Sequence, residues 1–194
     1  MSNLIRYLEK NIELSFQDKQ SLIDASEKKC LLKNDVFLQQ GRISNKLSFL
    51  ERGAFRMFHT TEDGDEANTE FILSNGFITD FMSFLKGTVS QVSIAALEDS
   101  EITILNIEKL EQSLIKKLAH FGKKYVQNVC LPVLLDYQII ISEKPDLRYE
   151  ILLKKYPEYI QKIPQKHIAS YLRLRPETLS RIRRKFLDLN QLKF

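Results

Sequence analysis

The sequence predicts an α+β protein: an antiparallel β-roll of double-stranded jelly-roll type, then a long helix, then a C-terminal helical domain containing a helix-turn-helix. Three observations carry that expectation. Between Cys30 and Ile107 apolar residues alternate in short segments, punctuated by Gly41, Gly53, Gly64 and Gly76 at intervals of 11–12 residues. Short strands with evenly spaced turns suit a roll or barrel. From Glu108 to Ser142 the apolar period lengthens to about 3.6, as in a helix. From Gln165 to Lys185 two short apolar-faced segments flank a tight turn. The expected units are residues 1–107, the roll with N-terminal helices; 108–143, the long helix; and 144–194, the C-terminal domain.

Taken in order, residues 3–10 and 16–26 read as short helices, with Leu4, Ile5, Leu8 and Ile12 at helical spacing. In the roll, Leu47, Phe49 and Glu51 alternate against Ser48 and Leu50. Ala54–His59 and Ala67–Leu73 continue the series, with residues 62–66 as a hairpin tip. The glycines are expected at corners that need positive φ. The long helix carries one stripe, Leu110, Leu114, Leu118, Phe121, Tyr125 and Val129, with lysines off it. A small roll cannot cover that stripe along its whole length, so a second copy of the helix is expected to do so. Pro132 should kink or break the helix, because proline clashes with the carbonyl four residues back. Pro145 can start the next helix, Pro157 ends it, and Pro164 precedes the helix-turn-helix.

Composition excludes several classes. No run of 18 apolar residues indicates a membrane helix, and the first ten residues lack a signal peptide's apolar core, so the chain is expected in the cytoplasm. Cys30 and Cys130 have no nearby cysteine and read as buried reduced thiols; two cysteines are too few for an iron–sulfur cluster. His59, His120 and His167 have no metal-ligand spacing, so no metal and no cofactor are expected. No nucleophile-elbow, zincin, phosphate-loop or dinucleotide motif appears, and the chain is not expected to be an enzyme. Charge is uneven: residues 144–194 hold 13 Lys and Arg against 5 Asp and Glu, a net +8, whereas the first 143 hold 16 against 20, a net −4. A basic module behind an acidic one is the footprint of a nucleic-acid binder.

In the C-terminal pair of helices, Ile168, Ala169 and Leu172 form one apolar face and Leu179, Ile182 and Phe186 another. Glu177, Thr178, Ser180, Arg181, Arg184 and Lys185 occupy the opposite side of the second helix, with Arg173 and Arg175 in the turn. Such a helix suits a DNA major groove, where arginine meets guanine edges and phosphates. The pattern Ile168-Ala169, Leu172, Pro176-Glu-Thr-Leu-Ser-Arg-Ile-Arg183 resembles the helix-turn-helix of the bacterial Crp/Fnr family of transcription regulators, most of all its short Bacteroidetes members.

The roll resembles that family too. Phe37-Leu-Gln-Gln-Gly41, Leu47–Gly53 and Ile94–Ile102 are similar to the opening and closing of its cyclic-nucleotide-binding domain. The resemblance implies a homodimer on double-stranded DNA, with Leu118, Phe121, Tyr125 and Val129 at the dimer interface and RNA polymerase as a further partner. It implies that Glu177 and Arg181 contact bases, a third contact being lost to Pro176. It also implies an effector pocket at Thr79, Asp80, Phe81, Ser90 and Gln91. There the chain departs from the cyclic-AMP-binding pattern Phe-Gly-Glu-Leu and Arg-Ser-Ala: Thr79 stands for glycine, Asp80 for glutamate and Ser90 for the phosphate-binding arginine. Cyclic AMP is therefore not the expected effector, unless Lys86 or Arg56 supplies the cation. The alternatives are gating by another small molecule or nucleotide, and an assembly module that binds no operator. After Lys185 only nine residues remain, too few for the family's full two-stranded wing.

Overall fold

The computed structural model describes the backbone of residues 2–191 and side chains as far as Phe186. Two short helices come first, α1 (Asn3–Glu9) and α2 (Phe16–Asp24). Ser15 and Asp18 cap α2 reciprocally, the hydroxyl accepting from the Asp18 N–H and the carboxylate from the Ser15 N–H. Eight strands follow: β1 (Ser26–Leu31), β2 (Val36–Leu38), β3 (Leu47–Arg52), β4 (Ala54–Thr60), β5 (Glu66–Leu73), β6 (Phe77–Ile78), β7 (Ser93–Ala96) and β8 (Ser100–Leu105). They form two antiparallel four-stranded sheets, ordered β1-β8-β3-β6 and β2-β7-β4-β5. Leu50, Phe55, Ile72, Ile78, Ile94 and Ile102 fill the space between the sheets.

Both sheets are covered outside as well. Phe49, Phe77 and Leu105 of the first sheet pack with Leu4, Ile5, Leu8, Leu22, Leu114, Phe121 and Tyr125. The alternation in β3 therefore separates two cores: Phe49 faces the helices and Leu50 the roll interior. Ala54, Phe71 and Leu97 on the outside of the second sheet pack against the C-terminal helices. A short helix absent from the sequence expectation, α3 (Phe81–Lys86), interrupts the strands; the Asp80 carboxylate caps it through the N–H groups of Met82 and Ser83. Three of the four glycine corners have positive φ: Gly41 at 82°, Gly53 at 119° and Gly64 at 84°. At the fourth, Asn75 takes the left-handed conformation, φ 70°, in place of Gly76. Gly53 is also sterically required, since a Cβ there would lie 2.1 Å from Ser100 Oγ. Cys30 is exposed rather than buried, because β1 lies at the edge of its sheet.

The long helix runs as α4 (Gln112–Tyr125), a π-helical segment (Val126–Cys130) and α5 (Leu131–Ser142). Pro132 does not break it. The Leu131 N–H reaches back to the Val126 carbonyl, a wider turn that accommodates the proline ring just beyond. The stripe expected at a dimer interface has neighbours within its own chain. Phe121 and Tyr125 are buried within their own chain, at 7% and 9% exposure, because α1 and α2 join Phe49, Phe77 and Leu105 of the roll in covering them. Leu118 is half-buried in the same cluster. The apolar residues left in solvent lie farther along: Val129, Leu131, Leu134, Leu135 and Ile139.

Four helices complete the described residues: α6 (Pro145–Lys155), α7 (Pro157–Lys162), α8 (Gln165–Tyr171) and α9 (Pro176–Gln191). Prolines open α6, α7 and α9, where their missing N–H leaves no bond unmade. Pro157 thus begins a helix as well as ending one. α9 continues through the residues after Lys185 as far as Gln191.

Candidate nucleic-acid interface and ligand cavity

Helices α8 and α9 form the helix-turn-helix. Ile168, Ala169, Tyr171 and Leu172 of the first and Leu179 and Ile182 of the second are buried in one core. Phe186 closes it, edge-on to Tyr149 with centroids 5.5 Å apart. The turn is held by the Leu174 N–H bonding the Ala169 carbonyl at 2.9 Å. Arg173 occupies the left-handed region at φ 55°, where a glycine would be unstrained. Its Nε donates to the Tyr137 hydroxyl at 3.1 Å, so this predicted DNA contact is tied back to α5. Arg148 donates to the Glu143 and Leu172 carbonyls, joining the ends of α5 and α8. Sequence reading missed that brace, since a lone arginine inside a helix carries no local signal.

The opposite side of α9 is solvent-facing. Glu177, Ser180, Arg181 and Arg184 are exposed at i, i+3, i+4 and i+7, with Arg175 exposed just before the helix. Thr178 is half-buried beside them. Arg175, Arg181 and Arg184 form no ion pair among the described residues, whereas Lys185 pairs with Asp146 at 2.6 Å. That pair is exposed at both ends and holds the lysine weakly.

Helix α8 also docks on strand β5. The Ser170 hydroxyl donates to the Glu66 carbonyl at 2.9 Å and accepts from the Asn68 N–H at 3.0 Å. Burial first, then the Arg56 and Lys166 charges, push the neighbouring His167 down to about 4, so it is neutral at pH 7. Tyr171, fully buried here beside Phe71 and Tyr137, leaves its hydroxyl without a partner among the described residues. Such an orphan group costs about 1–3 kcal/mol.

The inner side of β5 opens on a cavity of about 760 Å³ between the roll, α3, the π-helical segment and Tyr159 of α7. Four of the five predicted pocket residues line it: Thr79, Asp80, Phe81 and Gln91. Ser90 stands behind them, almost fully buried, donating to Asp80 Oδ2 at 2.7 Å. Asp80 Oδ1 is engaged by the cap of α3. Arg56 is turned away: it pairs with Glu66 at 2.7 Å, donates to Asn68 and lies 3.9 Å over the Phe58 ring. Lys86 is exposed at the cavity mouth. The residue sequence reading missed is Glu70, which lines the cavity. Burial, with the Asp80 carboxylate second, raises its pKa to about 7. Cys130, on the helix wall, is raised to about 12, first by burial and then by Glu70, so its thiol stays protonated. No group of His, Cys, Asp and Glu among the described residues could hold a metal ion. No helix there is long and apolar enough to cross a membrane.

Residues 28–117 match the family of the cyclic nucleotide-binding domain. By sequence, no curated protein matches the chain. Among solved structures, FixK2 from Bradyrhizobium japonicum superposes with a TM-score of 0.69 at 14% identity, over 85% of this chain and 86% of that one. CLP of Xanthomonas campestris, a c-di-GMP responsive global regulator, gives 0.65 at 13% identity over 91% and 93%. A variant regulatory subunit of a cAMP-independent protein kinase A from Trypanosoma brucei gives 0.53 at 18% identity, over 64% of this chain and 44% of that one. That variant, in which a threonine has become arginine beside two further changes, holds cyclic AMP in its A site. The chain thus carries a cyclic nucleotide-binding-type roll within the fold of the Crp/Fnr transcription regulators, as its sequence motifs led one to expect.

Proposed function

We propose that this chain is a sequence-specific DNA-binding transcription regulator of the cytoplasm, acting as a homodimer, without enzymatic activity and with an effector other than cyclic AMP. The observation that carries the reading is the outer face of α9: Arg175, Arg181 and Arg184 are exposed and unpaired among the described residues, while Leu179 and Ile182 anchor the helix from behind. A free basic face on the second helix of a helix-turn-helix, in a segment of net charge +8, is what a major-groove reader requires. As a regulator it would act through RNA polymerase.

Homodimerisation is supported by α5. Leu131, Leu134, Leu135 and Ile139 recur at i, i+3, i+4 and i+8 and are 45–56% exposed. A second copy of this helix, related by a twofold axis, would cover the stripe in coiled-coil fashion. Two half-sites would then lie about 10 base pairs apart, centre to centre. Against cyclic AMP stands the bond between Asp80 and Ser90: the cassette satisfies itself and brings no cation to a phosphate. The arginine gained by the kinase variant that holds cyclic AMP points the same way.

The test is a binding titration on selected and scrambled operators at several salt concentrations. Arg181→Ala should cost about 1–3 kcal/mol on the selected operator and relax one base position. Arg175→Ala should weaken all sequences alike and flatten the salt dependence by about one unit of slope. An unchanged ratio of selected to scrambled affinity in Arg181→Ala would refute α9 as the base reader.

A further inference from the structure

The cavity beneath β5 has the wrong charge for a cyclic phosphate and the right one for its opposite. Its three charged side chains are Glu70, Asp80 and Lys86. Both Asp80 oxygens are engaged, one by α3 and one by Ser90. Lys86 ends α3 in open solvent. The Glu70 carboxylate makes no hydrogen bond and no ion pair with any described residue, and the charge that bears on it is a second carboxylate, Asp80. An unpaired carboxylate held away from bulk water is costly, and a donor or cation placed against it restores that loss. The rest of the lining is largely apolar and aromatic, including Met57, Phe81, Val133, Tyr125 and Tyr159. At about 760 Å³ the cavity falls in the range of small-molecule sites.

We propose that this cavity binds a small organic cation, an apolar or aromatic body bearing an ammonium or amidinium group, with Glu70 as its counter-ion and the rings of Tyr125 and Tyr159 beside the charge. The cavity holds four of the residues expected at an effector pocket, and among the described residues an unpaired carboxylate stands in it where a phosphate would need a cation. Aromatic faces next to a desolvated cation add to the attraction of the carboxylate. Asp80 and Ser90, locked to each other, act as wall rather than as ligand contacts.

The experiment titrates the full chain, without DNA, with three probes of similar shape: 2-phenylethylammonium, neutral 2-phenylethanol and anionic 3-phenylpropionate. Calorimetry and thermal unfolding should rank the ammonium first, by about tenfold or more over either analogue, the scale of a charge-assisted hydrogen bond. Glu70→Gln, checked for native circular dichroism, should erase that preference; Lys86→Gln should leave it intact. Equal binding of the three probes, tighter binding of the anion, a preference that survives Glu70→Gln, or no ammonium binding at millimolar concentration would each overturn the proposal. Because no DNA is present, such a failure leaves the reading of α9 untouched.

Discussion

Glu70→Gln also reports on the cavity with no ligand present. Burial, and then Asp80, raise Glu70 from 4.5 to about 7. An acid whose pKa is raised on folding binds more protons in the folded chain than in the unfolded chain between those two values. Its contribution to stability is therefore complete below about pH 4.5 and is lost as pH rises through 7. At about 1.4 kcal/mol per pH unit the ceiling is about 3 kcal/mol. Glu70 is half-buried and its cavity opens to water, so the expected loss is about 1–3 kcal/mol. Glutamine keeps the shape and never ionises. Glu70→Gln should match the native chain near pH 4.5 and exceed it at pH 8 by that amount. Urea unfolding across this range, at fixed ionic strength, measures the difference. His167 titrates in an overlapping window with the opposite sign, since it is held neutral and costs stability as pH falls from 6.5 towards 4. It is common to both proteins and cancels in the comparison. Parallel pH profiles, or a variant less stable at pH 8, would show that Glu70 is solvated and the argument from burial is wrong.

Four further outcomes are expected, besides those for Arg181 and Arg175. Leu135→Glu, at a site 56% exposed, should leave the monomer folded and abolish the dimer in sedimentation; Phe121→Glu should instead unfold the chain, by more than about 4 kcal/mol, because it places a charge in a closed core. If Leu135→Glu sediments as the native chain does, the second copy uses another face. Tyr171→Phe should stabilise by about 1 kcal/mol or more in chemical denaturation, since it deletes a buried hydroxyl that has no bonding partner among the described residues; a destabilised variant would mean the hydroxyl has a partner. Calorimetry with cyclic AMP at ordinary metabolite concentrations should show no saturable heat, and a tight one-to-one isotherm would mean that Lys86 turns inward to serve as the missing cation.

Helix α9 was legible in the sequence because everything that makes it is local. Its apolar spacing, the proline at its first turn and the arginines on its outer side lie within one short stretch. The strands of the roll were legible for the same reason, from turn chemistry and alternation. Partners were not. Helical periodicity says that Phe121 and Tyr125 share a face, but not whether a second copy or the chain's own α1 and α2 covers it. Packing by α1, α2 and β6 decided that, and moved the free apolar stripe to Leu131, Leu134, Leu135 and Ile139. Glu70 is the sharpest case. Nothing in the run Thr69-Glu70-Phe71 says what stands on the Glu70 side of the strand. The long helix and α7, arriving from far along the chain, roof that side over and change its pKa and its chemistry. Spacing along a chain determines which residues face the same way; what stands opposite them depends on contacts between distant segments, and only the tertiary structure supplies those.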